Sequence, residues 1–155
     1  MKLTKTLVSL MVGFSTPALA TLTGFAGAYQ GSGQAADSNG WDSPCPHVTL
    51  AFVETATSLS FSNMRYVCGS LGANHDPLLV MKRGQDLYLD QKKVGSFSDT
   101  EVDLIVPFDH LANTSYVARL VKKNGQVLYT EDWLSFQDGS YVQVFEMGSS
   151  LDQQK

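Results

Sequence analysis

The sequence predicts an all-β protein, an antiparallel up-and-down β-barrel of about eight strands, following an N-terminal signal peptide. Three observations predict it. Alternating apolar and polar residues recur along the chain, most plainly in Thr100–Phe108, the period-two mark of half-buried strands. Asn124-Gly125 and Asp138-Gly139 are two-residue hairpin signals between such runs. After residue 20 no helical periodicity outlasts a turn or two. An open sheet of eight or nine strands would expose two edges, which closure removes. A two-sheet sandwich meets the same pattern and is the alternative.

Residues 1–20 carry Lys2 and Lys5, an uncharged apolar run, and Ala18-Leu19-Ala20 as a small-residue cleavage site. Ser15, Thr16 and Pro17 interrupt the run, so it is too short for the roughly 20 apolar residues of a membrane span. The expectation is a periplasmic or secreted protein with no stable membrane insertion after cleavage. Residues 21–148 then form a single barrel domain, and 149–155 a polar tail. Cleavage removes two lysines and no acid, taking the formal charge from −4 to −6. Such an acidic chain lacks the basic patches that bind phosphates, which argues against nucleic acid as a partner.

The segment Thr21–Asp37 reads as a glycine-broken opening strand with Phe25, Gly27, Tyr29 and Gly31 on one face. A loop around Asn39-Gly40 follows, with Trp41 as a lid on the core. Next comes a hairpin from Cys45 to Cys68. With Ala56-Thr57 at its tip, Cys45 faces Cys68 and Phe52 faces Phe61. Opposed residues have Cα atoms about 4.5–5.5 Å apart, within reach of a disulfide. Two cysteines in an exported chain most often pair, and closing this loop would stabilise the fold by about 3 kcal/mol.

Residues 69–76 read as a loop. Leu78–Gln91 reads as a hairpin turning at Arg83-Gly84, with Val80 opposite Leu87. A turn from Asp90 to Lys93 leads to Val94–Asp99 and then to the strand ending at Pro107. In the last third, Asn124-Gly125 sets Leu120 opposite Tyr129 and Tyr116 opposite Trp133. Asp138-Gly139 sets Phe136 opposite Tyr141, Trp133 opposite Val144 and Glu131 opposite Glu146. Both faces of these strands are largely apolar, so alternation alone leaves open which one points inward, and a bulge can switch sides part-way.

Few constellations carry chemistry. There is no Gly-x-Ser-x-Gly, and bonded cysteines supply no thiolate. His47, His75 and His110 lack local zinc spacing, so no metal and no cofactor is expected. Paired carboxylates at Glu131 and Glu146 would need a shared proton or a cation; an exposed or bulge-separated placement removes that need. Arg119 lies diagonally from Asp132 and could pair with it. The aromatic set Phe52, Phe61, Tyr88, Tyr116, Tyr129 and Trp133 supplies the candidate lining for a ligand cavity, or else plain core.

The strand series, the export signal and the opening Gly27-Ala28-Tyr29 resemble the lipocalin or calycin superfamily, with Tyr29 where that family carries Trp and Arg119 in the place of its late arginine. The resemblance implies an eight-stranded barrel with an apolar lumen, hence a non-enzymatic binder of a small apolar ligand. Cys45, Cys68 and the run Asp86–Phe97 are also similar in order to periplasmic inhibitors of secreted metalloproteases, which implies a protein partner instead.

Overall fold

Eleven strand segments follow one another in a computed structural model that describes residues 24–107 and 113–155. They are β1 (Gly27–Asp37), β2 (Asp42–Glu54), β3 (Ser58–Cys68), β4 (Leu71–His75), β5 (Leu78–Arg83), β6 (Asp86–Leu89), β7 (Lys92–Phe97), β8 (Glu101–Pro107), β9 (Thr114–Lys123), β10 (Gln126–Gln137) and β11 (Ser140–Gln153). The expected signal peptide and His110 lie outside the described residues. Neighbours pair antiparallel, and β1 pairs with β11, so the sheet closes into a barrel. Closure removes the sandwich alternative.

The ring holds about ten strands rather than eight. β4 and β5 both flank β3 in one register, with Met64 opposite His75 and Ser58 opposite Met81. They are a single strand interrupted at Asp76-Pro77. Proline has no N–H for the ladder, and the interruption falls across from Ser62, where a bulge shifts β2 against β3. β4 replaces the expected loop at 69–76. Its outward residues, Gly72 and Asn74, look like loop composition, while Leu71, Ala73 and His75 alternate with them.

Turn chemistry sets most registers. Asn124 and Gly125 have φ of 54° and 83°, Asp138 and Gly139 48° and 84°, as both hairpins require. Asp90 and Gln91, at 46° and 70°, join β6 to β7. The β5–β6 turn is Gly84-Gln85, one residue later than expected: Gly84 takes the positive φ of 62° that Arg83 would adopt only with strain, and Lys82 faces Leu87. The expected polar tail is also corrected. β11 runs to Gln153 because Leu151 is fully buried and residues 149–153 complete the pairing with β1.

The β2–β3 hairpin holds its expected centre. Phe52 faces Phe61, their ring centroids 4.7 Å apart, and Cys45 and Cys68 form the disulfide with Cα atoms 4.1 Å apart. Both cysteines are fully buried. Trp41 packs against the core, as a lid does.

One end of the barrel is sealed. Phe25 and Tyr29 meet Phe52 edge-on at 6.3 and 6.1 Å, and the Tyr29 hydroxyl donates to the Phe25 carbonyl. Lys82 is ion-paired with Glu54, both side chains almost wholly covered, with the ammonium 5.0 Å from the Phe97 ring centre. Glu54 also accepts the Gly24 N–H. A buried pair of this kind costs desolvation that its attraction roughly offsets, so it fixes geometry more than it adds stability.

Close approach of β1 to β11 explains the glycines of the opening strand. A Cβ on Gly31 would sit 2.0 Å from the Ser150 carbonyl oxygen, inside any contact distance. Gly31→Ala is therefore expected to lower stability by about 1–3 kcal/mol, read from the denaturant midpoint at unchanged slope. Stability equal to wild type would show that β11 yields freely at this point.

Candidate functional site

At the end opposite the seal, the wall is incomplete. β6 and β7 form a hairpin of four and six residues, with β6 pairing to β5 but not to β4, and β7 meeting β8 only from Val102 to Leu104. Above that hairpin, β4 and the end of β8 are left apart. The gap is a half-open cleft of about 360 Å³, walled by β4, Asp76-Pro77 and Leu78 on one side and by Val106 and Pro107 on the other. His75, Tyr116 and Trp133 complete its lining.

Behind this lining lies Glu131, fully buried. It reaches the interior because Tyr116, Ala118, Leu120, Tyr129, Glu131 and Trp133 share the inward face, Tyr116 opposite Trp133 and Leu120 opposite Tyr129 as the Asn124-Gly125 turn dictates. Four side chains converge on its carboxylate. Tyr129 donates its hydroxyl to Oε2 at 2.5 Å, Tyr66 donates to Oε1 at 3.1 Å, and the Trp133 indole N–H also donates to Oε1. His75 Nε2 lies 3.1 Å from the same Oε1.

Burial pushes the Glu131 carboxyl up, but His75 and the hydrogen bonds from Tyr129 and Trp133 outweigh it and hold the group below its ordinary value, so it is ionised at neutral pH. Burial and the Glu131 charge push both Tyr66 and Tyr129 upward, keeping them protonated donors. The rings around the carboxylate are stacked in turn: Tyr66 lies parallel to Phe145 at 6.3 Å, Phe145 packs on Trp133 at 4.8 Å, and His75 faces Tyr116 at 5.5 Å.

Glu131 does not meet Glu146. A bulge between Trp133 and Leu134 moves the β11 register by one, so Glu131 faces Met147, Asp132 faces Glu146 and Trp133 faces Phe145 rather than Val144. The bulge also brings Phe145, Met147 and Leu151 inward. Arg119 pairs with Glu101 and Asp103 on β8, not with Asp132, and stays on the outer surface.

Of the aromatic set, Tyr116 and Trp133 line the cleft and Tyr129 holds the carboxylate beneath it. Phe52 and Phe61 are packed into the core near the sealed end. Tyr88 lies outside, opposite Met81, with the Arg83 guanidinium 4.7 Å from its ring. The sequence puts His75 in a loop and Glu131 in an exposed or bulge-separated position relative to Glu146; the separation by a bulge is found, but with Glu131 buried. The available signal was the inward parity of Glu131 with Tyr129 and Trp133, a buried acid between two aromatic donors. Among the described residues no group of three or more His, Cys, Asp or Glu is placed to hold a metal ion.

The fold defines the chain as a closed antiparallel β-barrel with a cleft in its side wall. Among solved structures it is similar to the S-type phycobiliprotein lyase CPES from Guillardia theta, with a TM-score of 0.53 over 84% of this chain and 88% of that one, at 8% identity. No family model and no curated protein sequence matches the chain. The expectation of a non-enzymatic protein is corrected by this finding: a barrel of the same shape is a lyase, so the fold does not set the chain apart from enzymes.

Proposed function

We propose that the protein binds a small, largely apolar molecule in the lateral cleft, working in an exported, oxidising compartment. The observation that carries the reading is a cleft of about 360 Å³ lined by Trp133, Tyr116, Pro77, Leu78 and Val106, with one built polar network at its floor. Ligand sites are typically concave, mostly apolar and furnished with a few fixed polar groups. The similarity to a phycobiliprotein lyase supports a barrel of this shape as a handler of small molecules. The Cys45–Cys68 disulfide supports export, because such bonds persist where thiols are not kept reduced.

Trp41 and Trp133 are the two tryptophans, so Trp41→Phe leaves Trp133 as the reporter at the cleft. Titration of that variant with biliverdin, a medium-chain fatty acid and naphthalenemethanol is expected to give a saturable change in emission for at least one probe. Tyr116→Ala should weaken that binding about tenfold, the worth of a lost aromatic contact. Flat titrations with all three would remove the reading.

The contact between Glu131 and His75 favours a second reading, in which His75 exchanges a proton with the bound molecule, since a carboxylate partner orients an acid–base histidine. In that case His75→Gln would leave binding intact while abolishing chemical change of the bound probe.

A further inference from the structure

The charge pattern around the cleft narrows the class of ligand. Among the described residues no lysine or arginine lines it, whereas Asp76 does, and the fully buried Glu131 lies directly beneath the lining. Two tyrosine hydroxyls and an indole N–H donate to Glu131, and His75 Nε2 lies 3.1 Å from the same carboxylate. Neutral donors solvate a carboxylate without cancelling its charge. His75 is the one nearby side chain that could carry a compensating proton among the described residues.

The hydrogen bond from Trp133 matters for the ring itself. An indole whose N–H donates to an ionised carboxylate is polarised by it, which draws electron density toward the ring and strengthens the attraction of its surface for a cation. Tryptophan is already the best of the aromatic side chains for that contact. Tyr116 stands beside it in the lining, and the His75 ring completes an aromatic corner.

We propose that the cleft selects an organic cation, an apolar body bearing a quaternary or otherwise delocalised positive charge, through the Trp133 and Tyr116 rings backed by the Glu131 carboxylate. The proposal rests on the cleft being the binding site and adds the sign of the ligand's charge. A cation placed there neutralises the buried carboxylate from across the indole ring, as a protonated His75 would from the side. The two compete for the same anion, with Tyr66, Tyr129, Tyr116 and Asp76 as the other titratable groups around it.

Three probes sharing one ring separate charge from shape: benzyltrimethylammonium, benzyl alcohol and benzoate, each titrated into the full-length Trp41→Phe protein and followed by Trp133 emission. The cation is expected to bind at least about tenfold more tightly than the alcohol, and benzoate more weakly than either. In Glu131→Gln the cation and the alcohol should converge to within about threefold. If the alcohol matches the cation in wild type, the cleft binds aromatics without regard to charge and the proposal is overturned, while the cleft reading stands. If none of the three binds, the proposal is overturned, and the titrations with biliverdin, the fatty acid and naphthalenemethanol decide the cleft reading separately. Should Glu131→Gln fail to fold, Trp133→Phe, which keeps a ring but loses the N–H, is expected to lower the cation preference at least threefold as read by calorimetric titration, and an undiminished preference would count against the proposal.

Discussion

Glu131→Ala is expected to cost about 3–5 kcal/mol of folding stability, because it strips a buried site of its only anion and leaves the Tyr66, Tyr129 and Trp133 donors facing a void. Glutamine preserves the volume but turns an amide toward donors, and should cost less, about 1–3 kcal/mol. Chemical denaturation of the three proteins at one pH checks the order. A loss below about 1 kcal/mol in the alanine variant would mean that water readily replaces the carboxylate.

The same residue sets a pH signature. Its carboxyl is held below the ordinary value of 4.5 in the folded protein, so its stabilising contribution is complete above that value and is lost as pH falls through the folded one. Asp103 and Asp132 work in the opposite direction. Burial, then Glu101, raises the first, and burial, then Glu146, raises the second. The wild-type curve alone mixes these trends. The difference between wild type and Glu131→Gln isolates Glu131, and it should shrink as pH drops from about 6 to about 3. A constant difference across that range would show that the carboxylate is not specially stabilised.

Loss of the disulfide is the second large effect. Cys45 and Cys68 close a loop with a sequence separation of 23, and replacing both by alanine should cost about 3 kcal/mol on chain-entropy grounds. The bond pins β2 to β3 at the cleft end, beside the Gly69-Ser70 turn that leads into β4. Reduction should therefore loosen β4 before the sealed end. Hydrogen exchange would report this as earlier loss of protection in Leu71–His75 than in Leu50–Phe52, and uniform loss would indicate that the barrel opens as one unit.

Much of the fold was legible because turn residues and alternation determine hairpin registers locally. Asn124-Gly125 placed Tyr116 against Trp133, and the symmetry of the β2–β3 hairpin placed Phe52 against Phe61. What alternation left open or missed turned on single-residue irregularities whose positions no local pattern announces. The bulge at Trp133–Leu134 separated Glu131 from Glu146 and turned Phe145 inward, and the Asp76-Pro77 break disguised β4. The site suffered most, because it is assembled from β3, β4, β9 and β10, which are distant in sequence. His75 and Glu131 come together only once the ring has closed, and two registers each off by one residue would have sent them to opposite faces.

The short β6–β7 hairpin has a kinetic consequence. Barrels that open only at the rim must admit a guest along their axis, threading it past whatever caps the end. Here the cleft is in the side, between β4 and β8, where among the described residues no ladder hydrogen bonds join the two strands. On the proposed reading, exchange of a guest is uncoupled from unzipping of the sheet, and a guest longer than the cleft is deep would keep one end in water throughout its stay.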